Sequence, residues 1–289
     1  MLKALIKAMR LRQWTKNGFV FFGLIFDKQL LKPEPFFRTL EGFFLFCLVS
    51  SAVYLFNDIA DIEADRNHPV KKFRPIASGK LPIPVAGTAA LLLTVIAIPL
   101  GYLLSPIFAL ILLLYFVTNL LYSRWLKHVS ILDVLIISSG FVLRVAAGVA
   151  LITVARFSPW LYMITILFSL YIGLGKRRAE MNLLAEEASA HRKVFEGYTI
   201  PLLDQYITIV SGMTIVAYSL YTFSAPNLPE NHAMMLTIPF VVYGIFRYLQ
   251  LIQVGHAAGS PDEVALKDRP LQITVLLWGL TVIAIFYLS

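Results

Sequence analysis

Long apolar runs separated by short polar connections dominate this chain. An α-helix needs about 20 mostly apolar residues to cross a bilayer, and nine runs approach that length. We place them at 14–31, 36–56, 83–104, 106–121, 131–152, 158–175, 202–223, 235–254 and 271–288. The pattern predicts an all-α polytopic membrane protein with nine transmembrane helices, formed by a single membrane domain over residues 1–289.

The composition agrees with this pattern. Hydrophobic residues make up 58% of the chain and charged residues only 15%, against about 45–50% and about 25% in soluble domains. A soluble globule could not bury so much apolar surface, and a disordered chain would be far more polar. The one cysteine, Cys47, excludes an internal disulfide and a cysteine-based metal cluster.

The Lys and Arg residues are distributed unevenly along the chain, whose net charge is +8. Nineteen of the 25 lie in the N-terminal region up to Lys16 or in the even-to-odd connections, and four lie at or near the opposite ends of the spans. The remaining two, Arg144 and Arg247, lie deep within spans. The positive-inside rule therefore predicts a cytoplasmic N-terminus and an external C-terminus in a cell membrane, which we take to be a bacterial inner membrane. The predicted cytoplasmic cap loops are residues 57–82, 122–130, 176–201 and 255–270.

An acidic run begins where the second predicted span ends. On a helix of about 100° per residue, Asp61 lies about 60° and Asp65 about 20° from Asp58. Clustered carboxylates repel one another unless a cation lies between them, and Mg²⁺ commonly joins one or two carboxylates to substrate phosphates. We predict that these three aspartates are catalytic and bind Mg²⁺, with Asn57 beside them. The alternative is a solvated acidic helix end.

A basic loop follows the acidic run. Two X-Pro steps, at Pro69 and Pro75, interrupt the helix. Lys72 and Arg74 lie in this loop, and such cations cover the phosphate oxygens that a metal ion leaves free. We predict that both residues bind phosphate. The alternative is that these charges only set the topology.

A second polar cluster lies between the fourth and fifth predicted spans. It contains Tyr122, Lys127 and Asp133. Arg144 follows on nearly the same helix face as Asp133 and roughly 16 Å deeper. An arginine at that depth needs a carboxylate, a carbonyl or an anionic ligand. A catalytic role and a structural ion pair across helices are both compatible with this position.

Residues spread over most of the chain resemble the UbiA-type intramembrane transferases. The aspartate run from Asn57 to Asp65, followed by Arg74 and Pro75, resembles the signature of that family. The segment 12–17 (Arg-Gln-Trp-Thr-Lys-Asn) and further matches within 50–79, 175–180 and 265–272 are most similar to one branch, the decaprenyl-phosphate phosphoribosyltransferases. The second motif has one aspartate, Asp133, where many prenyltransferases have a closely spaced pair.

The resemblance implies nine helices around a lipid-facing cavity and a bound Mg²⁺-diphosphate. It implies that the donor is phosphoribosyl pyrophosphate, that the acceptor is a membrane polyprenyl phosphate, and that the product serves cell-wall arabinan synthesis. No nucleic acid partner is implied. The substrate-binding residues predicted in this way are Lys16, Asn57, Lys72, Arg74, Tyr122, Lys127, Asp133, Arg144, Lys176 and Arg177.

Two other functions are compatible with parts of the sequence. A UbiA-type prenyltransferase would use the same aspartates to ionise an allylic diphosphate for an aromatic or other small acceptor. A transporter would also place charges within spans. The transporter is disfavoured because related halves are not evident in the chain and the charged groups concentrate on one predicted face.

Overall fold

A computed structural model describes residues 1–68, 70–153, 159–186, 193–225, 228–254 and 267–288. Within these ranges the regular secondary structure is entirely helical. The α-helices are α1 (Leu2–Ala8), α2 (Phe22–Phe26), α3 (Pro33–Ala60), α4 (Ile62–Arg66), α5 (Ile83–Leu104), α6 (Pro106–Arg124), α7 (Leu132–Val149), α8 (Pro159–Glu186), α9 (Ile200–Ser224), α10 (Ile238–Gln253) and α11 (Arg269–Leu288). The 3₁₀ helices are Leu11–Phe21, Lys71–Phe73, Leu126–His128, Lys193–Gly197 and Ala233–Thr237.

Eight helices in the described ranges are long and apolar enough to cross a membrane. They overlap the second to ninth predicted spans. The first predicted span, 14–31, is different, because the 3₁₀ helix Leu11–Phe21 is followed there by the short helix α2. The side chain of Asn17 in this segment is buried and donates hydrogen bonds to Cys47 and Ser50. Polar contacts with α3 therefore accompany the irregular conformation of this segment.

The chain divides into two compact units, of which the first comprises Met1–Lys127 and Leu143–Ala155. Within this unit the N-terminal segment runs antiparallel to α3. Asn17 contacts Cys47 and Ser50, and the indole N–H of Trp14 donates to Ser51 Oγ at 3.0 Å. The apolar core of the unit joins α3 to α5, to α6 and to the end of α7 through Phe46, Ala97, Phe108, Leu112, Ala147 and Leu151.

The second unit comprises His128–Val142 and Arg156–Ser289. Its core contains Tyr171 on α8, Leu203 and Ile207 on α9, and Tyr248 on α10. The Tyr171 hydroxyl donates to the Ile245 carbonyl at 2.6 Å, so that this buried phenol is satisfied. Arg178 on α8 pairs with Asp204 on α9 at 2.5 Å.

Gly148 sets the distance between α7 and the N-terminal segment. A Cβ atom at this position would lie 1.8 Å from the Val20 carbonyl oxygen. We expect Gly148→Ala to lower the free energy of unfolding by about 1–3 kcal/mol, because backbone must move to admit the methyl group. Thermal unfolding in detergent measures the loss.

Gly87→Ala provides the matched control for this substitution. Gly87 lies in α5, and a Cβ atom there would have no heavy atom within 4 Å. The added helix propensity should leave the stability unchanged or raise it by up to about 1 kcal/mol. Equal unfolding temperatures for the two variants would contradict the predicted close approach.

Candidate active site

The acidic run of the sequence lies on a break between two helices. Helix α3 ends at Ala60, Asp61 has the non-helical angles φ −96° and ψ 10°, and α4 begins at Ile62. The chain still advances as a helix would, since the Asp65 N–H donates to the Asp61 carbonyl at 2.8 Å. Asp58 is 2% exposed and Asp65 is 3% exposed. Both carboxylates are therefore buried at this break, and both lie close to one cation.

That cation is Arg74, which was predicted to bind phosphate. Its Nη1 atom lies 3.1 Å from Asp58 Oδ1 and 2.7 Å from Asp65 Oδ2. The loop that carries Arg74 is held by His68, whose Nδ1 accepts the N–H groups of Val70 and Lys71. The structure therefore brings Arg74 to the predicted metal-binding residues.

Asp61 has a different partner. The ammonium group of Lys127, 66 residues away in the sequence, lies 2.6 Å from Asp61 Oδ1. Both residues belong to the first unit. This ion pair joins the two motifs that the sequence presents separately.

Arg10 is a site residue that the sequence reasoning did not select. Its guanidinium contacts Asp58 Oδ1 and lies 4.7 Å from the centroid of the Tyr54 ring. Its backbone is left-handed, with φ 54° and ψ 53°, which costs a non-glycine residue about 1–2 kcal/mol. The spacing of Arg10, Trp14 and Asn17 could have indicated one contact face, because all three lie against α3.

A cavity of about 270 Å³ lies beside these charges. Its polar lining consists of Lys7, Arg10, Arg74 and Asp58. The remaining lining residues are Ala8, Val70, Phe73 and Pro75. Three cations with one carboxylate make this cavity suited to an anion that carries a metal ion.

The other residues of the first unit that were predicted to bind substrate are not among those that line the cavity. Lys72 is exposed, and its ammonium group lies 5.3 Å from the centroid of the Phe73 ring. Lys16 and Tyr122 are half-buried. The Asn57 Oδ1 atom is buried and has no hydrogen-bond partner among the described residues.

The oxygen atoms at the α3–α4 break fit a magnesium ion. Asp58 and Asp65 supply carboxylates, and Asn57 supplies an amide oxygen that needs a partner. The described residues contain no group of three or more His, Cys, Asp or Glu that could hold a metal ion. Mg²⁺ does not require such a group, because it commonly binds through one or two carboxylates, waters and substrate phosphates.

Arg144 is buried in the first unit and forms hydrogen bonds to neighbouring segments. Its Nε atom donates to Asn17 Oδ1 at 2.8 Å, and its Nη2 atom donates to the Tyr115 hydroxyl at 3.0 Å. The guanidinium also lies 5.2 Å from the Phe46 ring centroid and 4.9 Å from that of Tyr115. These contacts link α7 to the N-terminal segment and α6, which favours the structural interpretation over the catalytic one.

The second unit contains a buried ion cluster. Asp133 is fully buried, and its two oxygens accept from Arg177 Nε and from the Tyr198 hydroxyl, the latter at 2.8 Å. Arg177 is 4% exposed and also pairs with Glu180. Both oxygens of Asp133 are thus engaged within the protein. Lys176, beside Arg177 in the sequence, is half-buried on α8.

Tyr198 is a second residue that the sequence reasoning missed. Its hydroxyl accepts the N–H of Ile131 at 2.6 Å while donating to Asp133. Ile131 has a φ of 71°, a costly conformation for a β-branched residue. Burial, together with the neighbouring Asp133 carboxylate, raises the pKa of Tyr198 well above its usual range. No local motif marks this tyrosine, because its partners lie 65 and 67 residues away in the sequence.

We expect Tyr198→Phe to lower the free energy of unfolding by about 1–3 kcal/mol, since it leaves the Ile131 N–H and Asp133 Oδ1 without this partner. The phenol stays protonated to a higher pH in the folded state than in the unfolded state. The stability that it contributes is therefore complete below a pH of about 10 and declines as the pH rises further. Unfolding temperatures across pH measure this effect. Tyr162→Phe, which changes an exposed tyrosine of the same unit, should have little effect. Similar losses in both variants would contradict the contact.

These features define an integral membrane protein whose buried carboxylates are paired with cations at a helix break. The profile of the UbiA prenyltransferase family matches residues 18–261, and the chain belongs to this family. It is 36% identical to the decaprenyl-phosphate phosphoribosyltransferase of Mycobacterium tuberculosis, over 96% of this chain and 92% of that protein. It is also 36% identical to the protein of the same name from Mycolicibacterium smegmatis, over 100% and 94% of the two chains.

The fold agrees with this membership. A solved UbiA homologue from Archaeoglobus fulgidus, bound to DMAPP and Mg²⁺, covers 99% of both chains with a TM-score of 0.75 and 14% sequence identity. The predicted UbiA-type helical fold is confirmed. The family membership and the mycobacterial relatives confirm the assignment of the chain as a transferase. The described ranges contain eight long apolar helices rather than the nine predicted for the whole chain.

Proposed function

We propose that this protein transfers the 5-phosphoribosyl group of phosphoribosyl pyrophosphate to a membrane polyprenyl phosphate and releases diphosphate. The names and the extent of similarity of the two mycobacterial relatives support this activity. The structural observation that carries it is the cluster of Asp58, Asp65 and Arg74 beside a cavity lined by further cations. This arrangement suits a metal-bound diphosphate.

The bond changes of the proposed reaction indicate which groups the site must supply. The bond from ribose C1 to the diphosphate oxygen breaks, and its electron pair leaves with the diphosphate. A phosphate oxygen of the lipid then forms the new bond to C1. Bound Mg²⁺ would supply neutralising charge for the leaving diphosphate. The lipid phosphate is already ionised, so the chain needs no strong general base, and catalysis rests on positioning and electrostatics.

The residues of the first unit divide this work. Asp58 and Asp65, with Asn57 beside them, would hold the metal ion. Arg74 donates to both carboxylates and faces the same cavity, from which it can bind a phosphate oxygen. Lys127 neutralises Asp61 and supplies a cation close to the break. The substrate-binding roles stay predictions from the sequence for Lys16, Lys72, Tyr122, Asp133, Lys176 and Arg177.

The membrane placement completes the proposal. The 3₁₀ helix Leu11–Phe21 and α2 would reach about 30 Å if they were collinear, because a 3₁₀ helix rises about 2.0 Å per residue. This segment is our candidate for the ninth crossing. The N-terminus and the cap loops would face the cytoplasm of a bacterial cell, as the distribution of Lys and Arg predicts.

Incubation of the purified protein with labelled phosphoribosyl pyrophosphate, Mg²⁺ and decaprenyl phosphate tests the activity. We expect a labelled lipid that disappears when Mg²⁺ is chelated. A parallel reaction contains an allylic diphosphate and an aromatic acceptor. A product formed only in the parallel reaction would replace the proposed activity with prenyl transfer.

A further inference from the structure

The contact face of the N-terminal segment ends at the predicted metal site. Asn17, Trp14 and Arg10 contact successive positions along α3, and the last of them contacts Asp58. The first two contacts fix the segment through neutral hydrogen bonds. The third one places a cation on a carboxylate that is expected to bind a metal ion.

Two guanidinium groups share one oxygen of that carboxylate. Arg10 and Arg74 both contact Asp58 Oδ1, and Arg74 contacts Asp65 as well. If Arg74 loses Asp58, it still pairs with Asp65. Arg10 pairs with Asp58, so the loss of Asp58 leaves Arg10 ready to bind another anion. Arg10 also lines the 270 Å³ cavity beside Asp58, together with Lys7.

We propose that Arg10 binds the donor diphosphate and exchanges Asp58 for it when the metal–donor complex enters. Arg10 then opposes the binding of a free divalent cation and favours the binding of the cation together with the donor. The inference rests on the proposed function, because it takes phosphoribosyl pyrophosphate as the donor. It assigns a substrate-binding role to a residue outside the two aspartate motifs.

Charge and geometry both favour the transfer of Arg10 from Asp58 to the diphosphate when metal and donor bind together. A divalent cation at Asp58 would compete with the Arg10 guanidinium for the carboxylate and would repel it. A diphosphate brings compensating negative charge, and the planar guanidinium fork can donate two hydrogen bonds to phosphate oxygens. Arg10 and Asp58 both line the cavity, so a diphosphate bound in it would lie within reach of the Arg10 side chain. The required movement is therefore that of a side chain.

Two binding measurements on Arg10→Ala test the exchange, and they should change in opposite directions. The affinity for Mn²⁺ alone, followed by electron paramagnetic resonance, should rise roughly two- to fivefold because a competing cation is removed. The affinity for phosphoribosyl pyrophosphate with Mg²⁺, measured without lipid acceptor, should fall roughly 10- to 100-fold because a charge-assisted hydrogen bond is lost. A residue with only a structural role would weaken both.

Lys3→Ala is the matched control, since Lys3 is exposed on α1 and does not line the cavity. It should leave both affinities unchanged. Arg10→Lys retains the positive charge but lacks the guanidinium fork, so it should weaken donor binding less than Arg10→Ala does. It replaces Arg10→Ala in both measurements if that variant folds poorly.

Other outcomes of these binding measurements would overturn the proposal. Unchanged donor affinity, or weaker Mn²⁺ binding, in Arg10→Ala would overturn the exchange while leaving the proposed function intact. A wild-type protein that binds no phosphoribosyl pyrophosphate would overturn the proposed function and the exchange together.

Discussion

Asp58→Asn is expected to reduce turnover by roughly 10²–10³-fold while the protein still folds. The substitution preserves the shape of a side chain that is 2% exposed. It removes the charge that Arg10 and Arg74 share and that a magnesium ion would need. Losses of this size are typical when one electrostatic contact to the charge of the transition state is removed. The lipid phosphoribosylation assay and the unfolding temperature should be measured on the same preparation.

Glu63→Gln is the matched control for the same acidic run. Glu63 is exposed and pairs with Arg66 on the surface of α4. Its removal should change turnover by less than about twofold, because exposed ion pairs contribute little. Full activity in Asp58→Asn, or equal losses in both variants, would remove the basis for a metal site at the α3–α4 break.

The second large effect concerns stability, at the buried ion cluster of the second unit. We expect Asp133→Ala to lower the free energy of unfolding by about 3–5 kcal/mol, because it leaves Arg177 buried without its principal partner. Glu180 compensates for part of this charge from a more exposed position. Thermal unfolding in detergent measures the change, and Glu230→Ala, at an exposed position of the same unit, should have little effect.

The double variant Asp133→Leu/Arg177→Met distinguishes a role of this ion pair in stability from a role in substrate binding. Replacing both charges of a buried pair by apolar residues is often close to neutral, so we expect most of the stability to return. If the pair also binds substrate, as the resemblance implies, the stable double variant stays inactive. A double variant as unstable as Asp133→Ala would contradict the account of a buried charge left unpaired.

The apolar pattern predicted most of the helices because burial in lipid imposes a simple rule. A run of about 20 apolar residues has few alternatives to a membrane-spanning helix, and α5, α6 and α9 follow the predicted bounds closely. The first span was predicted less well. Hydropathy does not report the polar contacts of Asn17 and Trp14 with α3, which accompany the 3₁₀ conformation of this segment.

The acidic motif shows the limit of helical geometry. A single helix face through Asp58, Asp61 and Asp65 was predicted, and the structure breaks the helix at Asp61. The two outer aspartates still come together, but through Arg74, while Asp61 turns to Lys127. The residue types were therefore readable from the sequence, whereas their pairing depended on a local dihedral angle and a distant lysine.

The sequence by itself determined the membrane class, eight of the long helices, the family and the charged residues from which a site could be built. Those properties depend on composition and on local order along the chain. Only the tertiary structure decided that Arg10 contacts Asp58, that Lys127 contacts Asp61, and that Tyr198 holds Asp133. These partners lie between 48 and 66 residues apart in the sequence. Such pairs are selected by the packing of whole helices, because a buried charge must find its counter-ion wherever the fold places one.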